Sequence, residues 1–117
     1  MKMTASTRLI GGVTIVDLNG RIVLGEESSG VRDLVRTLIS DGIRKILLNL
    51  RNVDYIDSSG LGELVCAFTS MRSHGGELKL LNVTKRVRSL LQITKLITVF
   101  EIMDDEAASL ASFSPGY

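Results

Sequence analysis

The segment at positions 55–62, where an apolar strand ends and a turn of small residues opens a helix, limits the possible folds of this 117-residue chain more than any other segment. Before the turn, residues 46–50 form an apolar run of strand length. After it, apolar residues recur at the helical spacing i, i+3, i+4, i+7, at Leu61, Leu64, Val65 and Phe68. The pattern predicts a buried strand, a tight turn and a helix in direct succession.

The turn has the chemistry of a helix start that could accept a phosphate. Asp57 and Ser58 have short oxygen-bearing side chains that can cap amide groups, which leaves Ser59 in or beside the first turn. A phosphate there is stabilised by ~0.3–2 kcal/mol through the helix dipole and amide donors. Gly60 and Gly62 would let a partner approach closely. The same residues are also typical of a helix start that has no role beyond capping. Their position favours a functional site, because binding sites of open α/β sheets lie beyond the carboxyl ends of the strands.

The motif DSSGLG at residues 57–62 carries a family resemblance. Together with the preceding strand KILLNLRNVDYI and the following segment HGGELKLLNV, it closely resembles the STAS domains of bacterial anti-sigma factor antagonists. The resemblance covers about residues 7–112 of what we expect to be a single domain, 1–117. It implies an α/β fold in which a mixed sheet of four or five strands carries about four helices.

The resemblance also implies a function. In this family the unphosphorylated domain binds an anti-sigma factor serine kinase, which releases the sigma factor. The kinase phosphorylates the serine before the glycine, which is Ser59 here, and a PP2C-type phosphatase reverses the reaction. The added charge would end binding by repulsion and desolvation. The implied partner-binding residues are Asp57, Ser58, Ser59, Gly60, Leu61 and Gly62, with Ser58 interpreted mainly as the helix cap.

One departure from the family pattern leaves the partner open. Many relatives carry an acidic residue or a threonine where this chain has Arg21 and its neighbours, after Gly20. The alternative functions are a scaffold subunit of a stress-signalling complex and a small subunit of a lipid-transport ABC system. A partner pull-down distinguishes an anti-sigma kinase from an ABC ATPase.

Composition argues against several other classes of protein. Fourteen Lys and Arg against 13 Asp and Glu give a formal charge of +1, without the basic excess of a nucleic-acid binder. Aromatic residues make up only 4%, so there are few platforms for stacking bases. No apolar run approaches the ~18–20 residues that span a bilayer, and the N-terminus lacks a signal-peptide pattern. We therefore expect a cytoplasmic protein without membrane insertion.

The inventory of reactive residues predicts a protein that is not an enzyme. His74 is the only histidine, and the spacing places it at the far end of the helix that Ser59 begins. The chain lacks a His/Cys cluster for a metal, a phosphate-binding loop, a dinucleotide fingerprint and a G-x-S-x-G elbow. We expect no catalytic residues, metal or cofactor. The single cysteine, Cys66, is predicted to be a buried small apolar residue.

The remaining elements follow from turn signals and periodicity. Gly11-Gly12 predicts a hairpin over residues 7–18, and Asn19-Gly20 predicts a second turn before a short extended piece at 21–24. Residues 97–102 could form a final edge strand. Helices are predicted near 27–41, 59–73, 84–92 and 105–112, and a further strand is marked by Leu78, Leu80 and Leu81.

Overall fold

The computed structural model describes residues 3–23 and 30–114, which form a five-stranded sheet with helices on both faces. The strands are β1 (Thr4–Ile10), β2 (Val13–Ile22), β3 (Lys45–Ile56), β4 (Glu77–Leu81) and β5 (Ile102–Met103). The helices are α1 (Val31–Ser40), α2 (Ser58–Ser73), α3 (Lys85–Ile93) and α4 (Glu106–Ala111), with a 3-10 helix at Leu96–Thr98. The predicted α/β class, with a mixed sheet and four helices, is confirmed.

The sheet has the order β1-β2-β3-β4-β5. β1 pairs antiparallel with β2, and every other neighbouring pair is parallel. β3 lies at the centre because its run of buried apolar residues, Ile46, Leu47 and Leu48, needs cover on both faces. The prediction of a buried strand at residues 46–50 is therefore confirmed, although the strand extends to Ile56.

A two-residue loop joins β1 to β2, as the sequence predicted. Gly11 and Gly12 have φ angles of 58° and 82°, which glycine adopts without a steric penalty and which fit the tight hairpin turn that matches strand twist. The strand register is continuous from Ile10↔Val13 to Thr4↔Asn19. Both strands are longer than the predicted 7–18 hairpin.

The turn predicted at Asn19-Gly20 is wrong, since both residues lie inside β2. Instead of turning, β2 shifts its register against β3 between Asp17 and Asn19 and again between Gly20 and Arg21. Gly20 has a φ of 102° at this irregularity. The burial of Leu18 and Ile22 on either side keeps the chain in the sheet. The extended piece predicted at 21–24 is the end of β2, and residues 24–29, including the predicted start of the first helix, lie outside the described residues.

Two apolar clusters hold the layers together. The larger lies between one face of the sheet and α1, α2 and α3, and includes Val35, Leu48, Leu64 and Leu91. The smaller lies on the other face, beneath α4, and includes Ile15, Leu47, Leu81 and Phe113. Each such side chain contributes about 1.5–3 kcal/mol when fully buried.

The final edge strand predicted at 97–102 is mostly wrong. Only Ile102 and Met103 join the sheet, and the preceding residues form a short 3-10 helix. Phe100 is buried and meets Phe68 edge to face, with ring centroids 5.3 Å apart. The apolar residues in this segment therefore close the core over α2 instead of extending a strand.

Candidate functional site

The start of α2 is capped by Asp57. Its Oδ1 accepts a hydrogen bond from the Gly60 N–H at 2.7 Å, and its extended backbone places the carboxylate over the first turn. The prediction that Ser58 is the cap is wrong, because Ser58 is already the first helical residue and is exposed. A cap must lie one residue outside the helix, where β3 ends.

Gly60 and Leu61 support the turn from inside the protein. A β-carbon at position 60 would lie 2.0 Å from the carbonyl oxygen of Ile22, so only glycine allows α2 to approach the end of β2 this closely. Leu61 belongs to the main core cluster. Two of the residues predicted to bind a partner are therefore buried and shape the surface from beneath.

The other residues of the motif present a surface to solvent. Ser58, Ser59 and Gly62 are exposed, and Asp57 is half-buried. A β-carbon at Gly62 would have no heavy atom within 4 Å, so the space above it is open. The structure thus brings the hydroxyl of Ser59 to the surface at the carboxyl end of the central strand, beside a helix position without side-chain bulk.

Ser59 and Gly62 border a groove between α2 and α1 with a volume of about 280 Å³. Its other lining residues are Gly30, Arg32, Asp33, Glu63 and Cys66. The Glu63 carboxylate accepts a long hydrogen bond from the Arg32 amide at 3.5 Å, which links the two helices at the groove. The groove therefore contains two carboxylates and one guanidinium beside the Ser59 hydroxyl.

Cys66 is exposed in this groove, so the prediction that it is buried is wrong. Leu64 and Ala67 of the same helix face the core, whereas Cys66 lies on the outer side of α2. The sequence could have predicted the exposure of Cys66, because positions 59, 62, 63 and 66 have the spacing of residues on one face of a helix.

A second groove, of about 460 Å³, lies at the carboxyl ends of β2 and β3 and is lined by Arg21, Asp54, Tyr55 and Arg86. The guanidinium carbons of Arg21 and Arg86 lie 4.8 and 6.0 Å from the centre of the Tyr55 ring. Neither guanidinium forms an ion pair with an acidic residue in the described ranges. Arg21 directly precedes Ile22, whose carbonyl contacts Gly60, so this groove adjoins the turn. The sequence singled out Arg21 but gave no signal for the stacking on Tyr55.

The strongest described electrostatic network lies on the opposite face of the sheet. Arg8 donates two hydrogen bonds to Asp17, at 2.7 and 3.0 Å, and two to Glu106, at 2.9 and 3.3 Å. The bonds from Arg8 hold the pKa of Asp17 below its usual value, burial opposes this, and a bond from Asn49 adds to it. The network ties α4 to β1 and β2 and has a structural role.

His74 lies at the end of α2 opposite Ser59, as the sequence predicted. It is the C-cap residue, and its Nδ1 lies 2.8 Å from the carbonyl oxygen of Ser70.

Within residues 3–23 and 30–114, no group of three or more His, Cys, Asp or Glu side chains is placed to hold a metal ion. Among the helices in these two ranges, none has the length and apolar character needed to cross a membrane.

A comparison with protein families matches residues 4–109 to the STAS domain model. The chain belongs to the STAS domain family. The anti-sigma F factor antagonist of Paenibacillus polymyxa is 31% identical over 104 residues, which are 85% of each chain. This relative agrees with the resemblance that the DSSGLG motif carries.

Two solved structures share the fold of this chain. An anti-sigma factor antagonist from Mycobacterium paratuberculosis superposes with a TM-score of 0.82 at 17% identity, covering 96% of this chain and 94% of that one. The phosphorylated form of the Bacillus cell fate determinant SpoIIAA superposes with a TM-score of 0.69 at 19% identity, covering 92% and 97%. At these identities the superpositions establish the STAS fold of this chain.

Proposed function

We propose that this STAS protein is an anti-sigma factor antagonist controlled by phosphorylation of Ser59. In the unphosphorylated state it binds an anti-sigma factor serine kinase in the cytoplasm and so releases a sigma factor. A PP2C-type phosphatase restores that state after phosphorylation. The protein acts as a ligand and a substrate, not as a catalyst. The observation that carries the proposal is the exposed Ser59 hydroxyl in the first turn of α2, next to the open position at Gly62.

The surroundings of Ser59 suit a phosphoacceptor. The capping bond of Asp57 to the Gly60 amide holds the first turn in place without using the Ser59 hydroxyl. Gly62 follows without a side chain, so a kinase active site can close around residue 59. The helix start stabilises the product, because amide groups and the helix dipole favour a phosphate there.

The same surroundings explain how a phosphate would end binding. Asp33 and Glu63 already contribute two carboxylates to the groove, with Arg32 as its basic residue. A phosphate adds about −1.5 to −2 charges at neutral pH, which the groove can balance only in part. A kinase surface that fits the neutral hydroxyl would then face uncompensated negative charge and lose affinity through repulsion and desolvation.

The docking surface that we propose combines the exposed motif residues with the adjoining groove. Ser58, Ser59 and Gly62 supply contact surface, Asp57 fixes the turn, and the buried Gly60 and Leu61 hold it on the sheet. Arg21 and Arg86 lie in the Tyr55 groove, which adjoins this surface. Their positive charges can favour a partner that carries acidic groups. With these arginines exposed beside the turn, we expect a partner preference different from that of relatives with an acidic residue near Arg21.

The test begins with a pull-down from lysate of the source organism, using the unphosphorylated protein as bait. The captured serine kinase is then incubated with ATP and the wild type, Ser59→Ala or Ser58→Ala, and phosphopeptides are mapped by mass spectrometry. We expect phosphate on Ser59 in the wild type and in Ser58→Ala, and none in Ser59→Ala. Phosphate on Ser58 would contradict the site. Capture of an ABC ATPase without a kinase would instead support the transport-subunit alternative.

A further inference from the structure

β1 forms an outer edge of the sheet and is exposed along its whole length. All seven residues from Thr4 to Ile10 are exposed, and Leu9 and Ile10 keep 72% and 40% of their surface. Nothing in the described ranges pairs with the outer side of this strand, since β2 is its only neighbour in the sheet. A strand edge of this kind presents a row of unpaired backbone donors and acceptors.

The usual devices that protect an edge strand are missing from β1. Residues 4–10 contain no proline, and their register with β2 is continuous, without a bulge. The only charged side chain is Arg8, and its guanidinium is paired with the carboxylates of Asp17 on β2 and Glu106 on α4. Native proteins block edge pairing with prolines, bulges and free charges, so β1 is open to pairing with another strand.

The tight loop determines which amide groups of β1 point outward. A two-residue hairpin loop is flanked by a hydrogen-bonded pair, here Ile10 and Val13. Hydrogen-bonded and non-hydrogen-bonded positions alternate along an antiparallel ladder. The N–H and C=O groups of Leu9, Thr7 and Ala5 therefore face away from β2.

We infer that β1 pairs antiparallel with β1 of a second copy of this chain, centred on Thr7. In this register Thr7 lies opposite the partner subunit's Thr7, and Leu9 lies opposite the partner subunit's Ala5. All three outward positions then form hydrogen bonds, and Leu9 gains an apolar neighbour on the side of the sheet that faces the larger core. Arg8 lies opposite the partner subunit's Ser6, so no like charges face each other directly. The strand is complementary to itself, which is why a second copy is its expected occupant.

The dimer that follows is weak and leaves the proposed docking surface free. A seven-residue strand pair buries less than the ~1,200–2,000 Å² of a stable interface, so association depends on protein concentration. α2 packs on β3 and β4, and β2 separates these strands from β1. Each dimer would therefore present two Ser59 surfaces at once.

Sedimentation equilibrium over a wide concentration range tests the inference with the full chain. We expect the wild-type average mass to rise from one chain towards two. Thr7→Lys places two charges directly opposite each other and should weaken association about tenfold or more. Thr69→Lys, at an exposed position on α2, is the matched control and should dimerise like the wild type. Circular dichroism establishes that both variants are folded. A wild type that stays monomeric throughout, or a Thr7→Lys variant that dimerises unchanged, overturns the inference.

Amide hydrogen exchange of the wild type, measured by NMR, tests the register independently of any variant. The amides of Ala5, Thr7 and Leu9 should exchange quickly in dilute solution and slow down as the dimer forms. The amides of Ser6 and Arg8 already bond to β2 and should be protected at every concentration. If the mass doubles while protection at the three outward positions stays constant, the interface lies elsewhere and the inference is wrong. Neither measurement involves a kinase, so its outcome is independent of the proposed function.

Discussion

The backbone of Gly60 passes so close to Ile22 that a β-carbon at position 60 would lie 2.0 Å from the Ile22 carbonyl oxygen and 2.7 Å from its carbon. Ile22 ends β2, and Gly60 lies in the first turn of α2. The same carbonyl accepts a hydrogen bond from the Asp57 amide at 3.3 Å. The end of β2 therefore fixes where α2 begins, and with it the position of Ser59.

Alanine substitutions at the two glycines of the motif should have clearly different effects on stability. Gly60→Ala forces a β-carbon against backbone atoms and should lower the free energy of unfolding by about 1–3 kcal/mol or more. Gly62→Ala enters open space on a helix and should be neutral or raise it by up to about 1 kcal/mol. Urea denaturation of both variants measures the difference. Equal effects would contradict the close contact with Ile22.

The capping assignment predicts a contrast between two adjacent residues. Asp57→Ala removes the acceptor of the Gly60 amide and should cost about 1 kcal/mol of stability. Ser58→Ala removes an exposed hydroxyl inside the first turn and should change stability by less than about 0.5 kcal/mol. Thermal denaturation of the two variants under identical conditions is sufficient. A larger loss of stability for Ser58→Ala than for Asp57→Ala would contradict the assignment of Asp57 and support Ser58 as the cap.

The sequence predicted best the features that neighbouring residues encode. Gly11-Gly12 specified a hairpin because two positive φ angles match the twist of the flanking strands. The succession of β3, turn and α2 was also predictable, since apolar spacing changes from that of a strand to that of a helix at Asp57. Local turn chemistry and periodicity were sufficient in both places.

Features that depend on distant contacts could not be predicted. Asn19-Gly20 has the local signal of a turn, but the burial of Leu18 and Ile22 holds it in β2. Phe100 belongs to a run with strand propensity, but its contact with Phe68 places it in the core. The turn around Ser59 was predictable from the sequence, but the burial of Gly60 and Leu61 beneath its surface was not, because it depends on contacts with β2 and the core.

The ion pair between Arg8 and Asp17 predicts an acid dependence of stability. Because the folded-state pKa of Asp17 lies below the unfolded value of about 3.9, its stabilisation is complete above that pH and is lost as the pH falls through the folded-state pKa. Asp17→Asn should therefore cost on the order of 1 kcal/mol at neutral pH and progressively less below about pH 4.

Urea denaturation at a series of pH values measures this difference between the wild type and Asp17→Asn. Asp54→Asn removes the same charge from an exposed residue that forms no ion pair with a described residue, and serves as the control. A cost of Asp17→Asn that stays constant from neutral to acidic pH would contradict the role of the charged Asp17–Arg8 pair.

The exposed thiol of Cys66 provides a reporter for docking at the groove. Because Cys66 shares the groove with Ser59, a kinase bound there should slow alkylation of the thiol by iodoacetamide about tenfold or more. Ser40→Cys in a Cys66→Ala background places a thiol at the end of α1 remote from the groove and should react equally fast with and without the kinase. Mass spectrometry follows both reactions. Unchanged alkylation of Cys66 in a saturated complex would place the interface elsewhere.

We predict that a phosphate on Ser59 switches partner binding off. The direct measurement is isothermal titration calorimetry of the captured serine kinase with two forms of this protein, one unmodified and one carrying phosphoserine at position 59. We expect clear binding of the unmodified form and a loss of at least about 100-fold in affinity for the phosphorylated form, because its charge is uncompensated at the contact. Equal affinities of the two forms would contradict this prediction.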